Sequence, residues 1–145
     1  MNTSEHKPSA LPLLRRPHWP LAAALGAVAL IRPLFSITGL TGDLGAPATP
    51  LILTAVISVV WIGAGALARV RDPLTTLVAA GLVYAVSSIV LSGVLSPLLL
   101  GKLEGPLAHP QAIVPVLAVN AVWGALCGAC ALGVRAVRVR RGQGA

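Results

Sequence analysis

Four long apolar runs, over 19–40, 50–68, 74–100 and 112–134, leave this chain of 145 residues little choice of architecture. Each is near or above the roughly 20 residues that a helix needs to cross about 30 Å of hydrocarbon. A soluble domain could not hide them all. Hydrophobic residues make up 56% of the chain and charged residues 10%, against about a quarter charged in soluble domains. In lipid the main chain must satisfy its own polar groups, which favours helices. The sequence therefore predicts an all-α integral membrane protein, a four-helix antiparallel bundle. It divides into an N-terminal flank over 1–18, a membrane domain over 19–134 and a basic tail over 135–145.

Prolines mark the helix starts. Pro20, Pro50, Pro73 and Pro110 each stand at or near the head of an apolar run. The missing proline N–H would have no partner in the first helical turn. Thr49 and Asp72, just before two of these prolines, have side chains suited to N-capping. The third run is too long, since its 27 residues would reach about 40 Å as a straight helix. Pro97 pushes Ser96 out of helical geometry, so the third span is expected to end or kink near 96, leaving spans over about 19–40, 50–68, 74–96 and 112–134. The segment 97–110 should then lie at the outer interface.

The net charge of +7 is spread over short flanks between the runs, the pattern of topology signals. Lys7, Arg15, Arg16, Arg69, Arg71, Arg135, Arg138, Arg140 and Arg141 fall on one side, and Lys102 alone on the other. The positive-inside rule places both termini in the cytoplasm of a cell-membrane protein. No nucleic-acid-binding motif accompanies the charge, so a nucleic-acid partner is not expected. Ala27-Val28-Ala29 has the small-x-small form of a signal cleavage site, but too few apolar residues precede it and apolar sequence continues beyond. The first run is read as an uncleaved anchor. The partners expected are the bilayer itself, anionic lipids at the four arginines of the tail, and a second copy or another membrane protein.

Little here suggests catalysis. His6, His18 and His109 are scattered outside the runs, and no Asp or Glu lies within one. Metal sites and proton relays need such groups clustered, so no metal, no cofactor and no enzymatic activity are expected. Cys127 and Cys130 form a C-x-x-C pair within two turns of Arg135, but the cytoplasm is reducing and no second cysteine pair exists to relay electrons. Packing is the preferred reading, with a dithiol redox site a distant third hypothesis. Gly124-x-x-x-Gly128, Ser88/Ser92/Ser96 and Ala22/Gly26 are small-residue patterns over which membrane helices approach closely. They point to packing within the chain, or to contact between copies.

The segment "ALIRPLFSITG" over 29–39 puts Arg32 and Pro33 inside the first run. Pro33 cannot donate to the Ala29 carbonyl, which predicts a kink, and Arg32 or Ser36 could serve that oxygen instead. At 1.5 Å per residue, Arg32, Thr54, Ser87, Ser88 and Asn120 lie about 20 to 22 Å from the cytoplasmic ends of their helices, and Tyr84 at about 15 Å. Polar groups at such depth usually face the bundle interior. These six are the candidate ligand-binding residues, with Arg32 as the charged floor of a pocket for an anion. The alternative is an arginine that snorkels to the headgroups. Asp43 is its nearest possible acidic partner on the chain, with Glu104 the other choice.

Two functions follow as expectations. One is a non-enzymatic accessory or assembly subunit acting through helix packing. The other is an oligomeric transporter or channel for a small anionic or amphipathic solute. The chain is similar in length and span count to small multidrug exporters and fluoride channels. It lacks the acidic residue in the first helix of the former, and its single Phe cannot supply the phenylalanine motif of the latter.

Overall fold

The computed structural model describes residues 16–38, 48–68 and 70–143, and among these no strand occurs. The helices are α1 (Trp19–Ala29), α2 (Ile31–Ile37), α3 (Ala48–Leu67), α4 (Pro73–Leu100) and α5 (Ile113–Gly142), the last entered through a 3-10 turn at Pro110–Ala112. Four helical stretches are long and apolar enough to cross a membrane: Trp19–Ser36, Ala48–Leu67, Pro73–Leu100 and Pro110–Gly142.

Local chemistry sets the ends. His18 caps α1, its Nδ1 accepting from the Leu21 N–H at 3.3 Å. Asp72 caps α4, with Oδ1 accepting from Leu74 N–H at 3.1 Å and Thr75 N–H at 3.4 Å. Replacing Asp72 with Ala should lower stability by about 1 kcal/mol. The loss would appear as a lower thermal midpoint that Asp72→Asn largely recovers, and an unchanged midpoint for Asp72→Ala would show the cap to be inert. Thr49, in contrast, is no N-cap. The described helix already starts at Ala48, which places Thr49 in its first turn.

Two further boundaries differ from expectation, whereas the first run carries a break in the turn before Pro33, where a kink is expected. The first stretch breaks at Leu30, whose N–H reaches back only three residues to the Ala27 carbonyl at 3.1 Å, one turn before the donorless Pro33. Helix α4 runs through Pro97 to Leu100 and stops at Gly101, whose φ of 69° makes a left-handed cap with its N–H on the Pro97 carbonyl. Ser96, only 2% exposed, is packed in this last stretch instead of ending it. After Gly101 the chain folds back on α4: Ser92 Oγ donates to the Glu104 carbonyl at 3.3 Å, and the Leu107 side chain lies over Gly93. Helix α5 continues past 134 to Gly142, so the basic tail is helical as far as that residue.

Small residues make up much of the interior, around a few large ones such as Trp61 and Leu77, and the exterior is rich in large apolar side chains. Ala22, Ala29, Ala79, Ala80, Ala85 and Ala131 are buried, whereas Val59, Leu98 and Val114 are at least 70% exposed. That inverts a soluble domain and suits helices whose outer surface meets lipid, where close backbone approach supplies the attraction. Helix α4 is the hub, packing most extensively on α5, then on α1. Helices α1 and α3, neighbours in sequence, touch only lightly.

The α4–α5 seam is where backbones meet. A Cβ on Gly124 would fall 2.2 Å from the Leu77 carbonyl oxygen, and one on Gly81 would fall 2.2 Å from the Asn120 carbonyl oxygen. Gly128 lies against the Leu74 Cα. The Gly124-x-x-x-Gly128 pattern is therefore engaged within the chain. Cys127 is buried and belongs to the same core, while Cys130 faces outward.

Long-range polar contacts lock the bundle at one end. Half-buried Arg135 donates from Nη1 to the Val70 carbonyl at 2.9 Å and from Nη2 to the Ala68 carbonyl. It thus satisfies carbonyls at and beyond the C-terminus of α3, which have no intrahelical donors. One of the four tail arginines is in this way a structural clamp. Thr76, 1% exposed, accepts from the His18 N–H at 3.2 Å and donates to the Asp72 carbonyl at 2.8 Å, tying the start of α1 to that of α4.

Candidate functional site

Where α1 and α2 meet α3, α4 and α5, the bundle forms a half-open cavity of about 130 Å³, and Arg32, which lines it, is exposed. Ala29 and Arg32 line it from the broken first stretch, and Thr54, Ile57 and Trp61 from α3. The remaining walls are Tyr84 of α4 and Val119, Asn120 and Trp123 of α5. The spacing 54, 57, 61 is that of one helix face, as is 119, 120, 123. The helical break before Pro33 lies beside the cavity, between Ala29 and Arg32.

Four of the six candidate residues, Arg32, Thr54, Tyr84 and Asn120, are thereby brought together. Ser87 and Ser88 are not. Ser87 lines shallow apolar grooves on the outside of α4 with Val86, and Ser88 donates to the Ala85 carbonyl of its own helix at 2.9 Å. Depth along a helix is common to all these residues. Direction around the axis is not.

Hydrogen bonding divides the polar groups into occupied and available. Thr54 Oγ1 donates to the Pro50 carbonyl at 2.8 Å, and Asn120 Nδ2 donates to the Val116 carbonyl at 2.8 Å, each reaching back one turn. This leaves one Asn120 N–H, its carbonyl oxygen and the Thr54 lone pairs. Neither the Tyr84 hydroxyl nor the Arg32 guanidinium has a hydrogen-bond partner among the described residues. The Ala29 carbonyl receives nothing from Arg32 or Ser36. Glu104 does not pair with Arg32 either. Its carboxylate lies 2.6 Å from the Lys102 ammonium, and that hydrogen bond holds the Lys102 pKa above its ordinary value. Asp43 lies outside the described residues.

The walls are aromatic. Trp61, Tyr84 and Trp123 are three of the five aromatic residues in the chain. Trp61 is 2% exposed, and its indole N–H donates to the Leu25 carbonyl at 3.2 Å, so this wall is fixed across α1 and α3. Reading depth alone misses both tryptophans. A usable signal was there: interfacial tryptophans sit near span ends, whereas Trp123 stands well inside its apolar run.

None of the nine lining residues is a carboxylate, histidine, cysteine or serine. The Thr54 hydroxyl donates to a main-chain oxygen. What the lining offers is one cation, spare hydrogen-bond donors and flat apolar surface. Among the described residues no group of histidine, cysteine and acidic side chains is arranged to hold a metal. Comparison with known proteins returns no matching family model, no matching curated protein and no matching solved structure.

Proposed function

We propose that this chain is a multi-pass protein of the cell membrane, with four antiparallel spans and both termini in the cytoplasm. It acts without covalent chemistry, by holding a small anionic or amphipathic molecule in the interhelical cavity and releasing it. The observation that carries this reading is the arrival of the one charged residue of the four apolar runs, Arg32, at a cavity lined also by Thr54, Tyr84 and Asn120. The cavity supports it over an accessory subunit working only through packing, because Gly124 and Gly128 are already engaged with α4. The orientation rests on the basic flanks. Arg138, Arg140 and Arg141, all exposed on the helical tail, then meet anionic headgroups, each contributing about 1 kcal/mol near a negatively charged leaflet.

Two measurements test it. In a background lacking the native cysteines, a cysteine at position 43 or 104 should label from outside intact cells, and one at 70 or 140 only after permeabilisation. Labelling at 70 in intact cells refutes the orientation. For the site, acetate, octanoate, benzoate and inorganic phosphate are added in turn to the purified chain. At least one should raise its thermal midpoint, because a ligand at about 100 times its Kd stabilises by about 2.7 kcal/mol. If none does, the cavity does not bind anions.

A further inference from the structure

We infer that the cavity selects a flat, ring-sized carboxylate of the benzoate class. This rests on the reading above that the cavity binds an anion, and goes further in naming the shape of its apolar part.

Charge and hydrogen bonding set the polar end. The spare groups are the Arg32 guanidinium with five N–H donors, the Tyr84 O–H and one Asn120 N–H, against acceptor oxygens on Asn120, Thr54 and Tyr84. Donors outnumber acceptor oxygens, one donor carries full charge, and among the described residues no carboxylate lines the cavity. A neutral ligand would leave this excess unmatched, and a cation would be repelled. The planar guanidinium fork grips two oxygens of one carboxylate side by side.

Volume and wall chemistry set the other end. At about 130 Å³ the space is close to the roughly 150 Å³ apolar cavity that accepts one benzene ring. Because the cavity is half open, this volume bounds the seated part of a ligand at about one ring. Aromatic walls meet a ring edge to face or offset, contacts that a flexible alkyl chain cannot make. Trp61 is locked by its bond to Leu25 and does not need ordering when a ring arrives. Inorganic phosphate or acetate would satisfy Arg32 and leave Trp61 and Trp123 facing an unfilled space.

The test uses the full chain in phosphatidylcholine nanodiscs, with radiolabelled benzoate followed by equilibrium dialysis. Saturable binding is expected. Acetate, octanoate, inorganic phosphate and the neutral ring benzyl alcohol should each compete at least about tenfold more weakly than unlabelled benzoate, tenfold being the scale of one charge-assisted contact. Arg32→Gln should weaken benzoate by about tenfold or more, and Tyr84→Phe by less. The competition series uses the unaltered chain, so it decides the matter even if a variant fails to fold. Equal competition by benzyl alcohol, acetate or phosphate overturns the inference. Arg32-dependent binding of octanoate without benzoate overturns the ring and leaves the anion reading standing, whereas an absence of binding by every anion removes that reading as well.

Discussion

Gly124→Val is expected to separate α4 from α5 and to unfold the bundle at temperatures where the unaltered chain is stable. The added side chain would meet the Leu77 carbonyl oxygen 2.2 Å from its Cβ, with Leu77 C and Val78 Cα at 2.9 Å. These are main-chain atoms inside a helix and cannot rotate aside. Overpacking in well-packed interiors usually costs about 1 to 3 kcal/mol, and the upper end applies where backbone must move. Cys127, 3% exposed, gives a direct readout. In a Cys130→Ser background its thiol should be inert to maleimide in the folded detergent-purified chain, and reactive in the Gly124→Val variant. Gly133→Ala is the control, since no atom lies within 4 Å of its added Cβ. That change should be neutral, or stabilising by up to about 1 kcal/mol through helix propensity. A Gly124→Val chain that melts normally with Cys127 protected would show that the seam is looser than described.

Arg32→Leu should have opposite effects on stability and on binding. With four spans in lipid, Arg32 is exposed and stands four residues from the end of the stretch Trp19–Ser36, so its cost is a fraction of the roughly 2.5 to 3.5 kcal/mol that insertion scales give for arginine at a helix centre. No salt bridge or hydrogen bond among the described residues offsets that cost. The leucine variant should insert, fold and melt at a higher temperature than the parent, since replacing a charge held in apolar surroundings by a hydrophobic residue is often stabilising. It should bind none of the anions that raise the thermal midpoint of the parent. Arg32→Lys should restore binding only in part, because the ammonium keeps the charge and loses the planar fork. A leucine variant that keeps full anion binding would reduce Arg32 to a residue snorkelling toward the headgroups. One that fails to insert would instead make Arg32 part of the fold.

How far the site was legible follows from the kind of information each residue carries. Arg32 announces itself, being the one charge in four apolar runs. Thr54 and Asn120 are found by counting rise per residue, which gives height along an axis with little error. The same count admits Ser87 and Ser88, because height says nothing about which way a residue faces when helix rotation is unknown. Rotation here is set by packing: Gly81 against Asn120, and Gly124 against Leu77, turn α4 and α5 so that Tyr84 and Trp123 face the cavity and Ser87 the outside. Arg135 was ambiguous for a similar reason. As a sequence feature it is one positive charge among four, and only the approach of α5 to Ala68 and Val70 makes it a clamp.

The sequence by itself determined the four long apolar stretches, the proline near the head of each and the Asp72 cap. Each of these depends on neighbours within about one turn, or on the summed hydropathy of a single run, so no knowledge of partners is needed. Tertiary structure alone decided that α4 is the hub and that α1 lies against it instead of against α3. It alone placed Trp61 on the Leu25 carbonyl, 36 residues away, and Arg135 on Val70, 65 residues away. It also carried α4 through Pro97, because a packed Ser96 and a glycine cap four residues beyond the proline hold the turn that proline weakens. Such outcomes come from volumes fitted between helices far apart in the chain, where close approach over alanine and glycine supplies the attraction. The cavity is what remains where large side chains, Trp61 and Trp123, meet small ones such as Ala29 without filling the space.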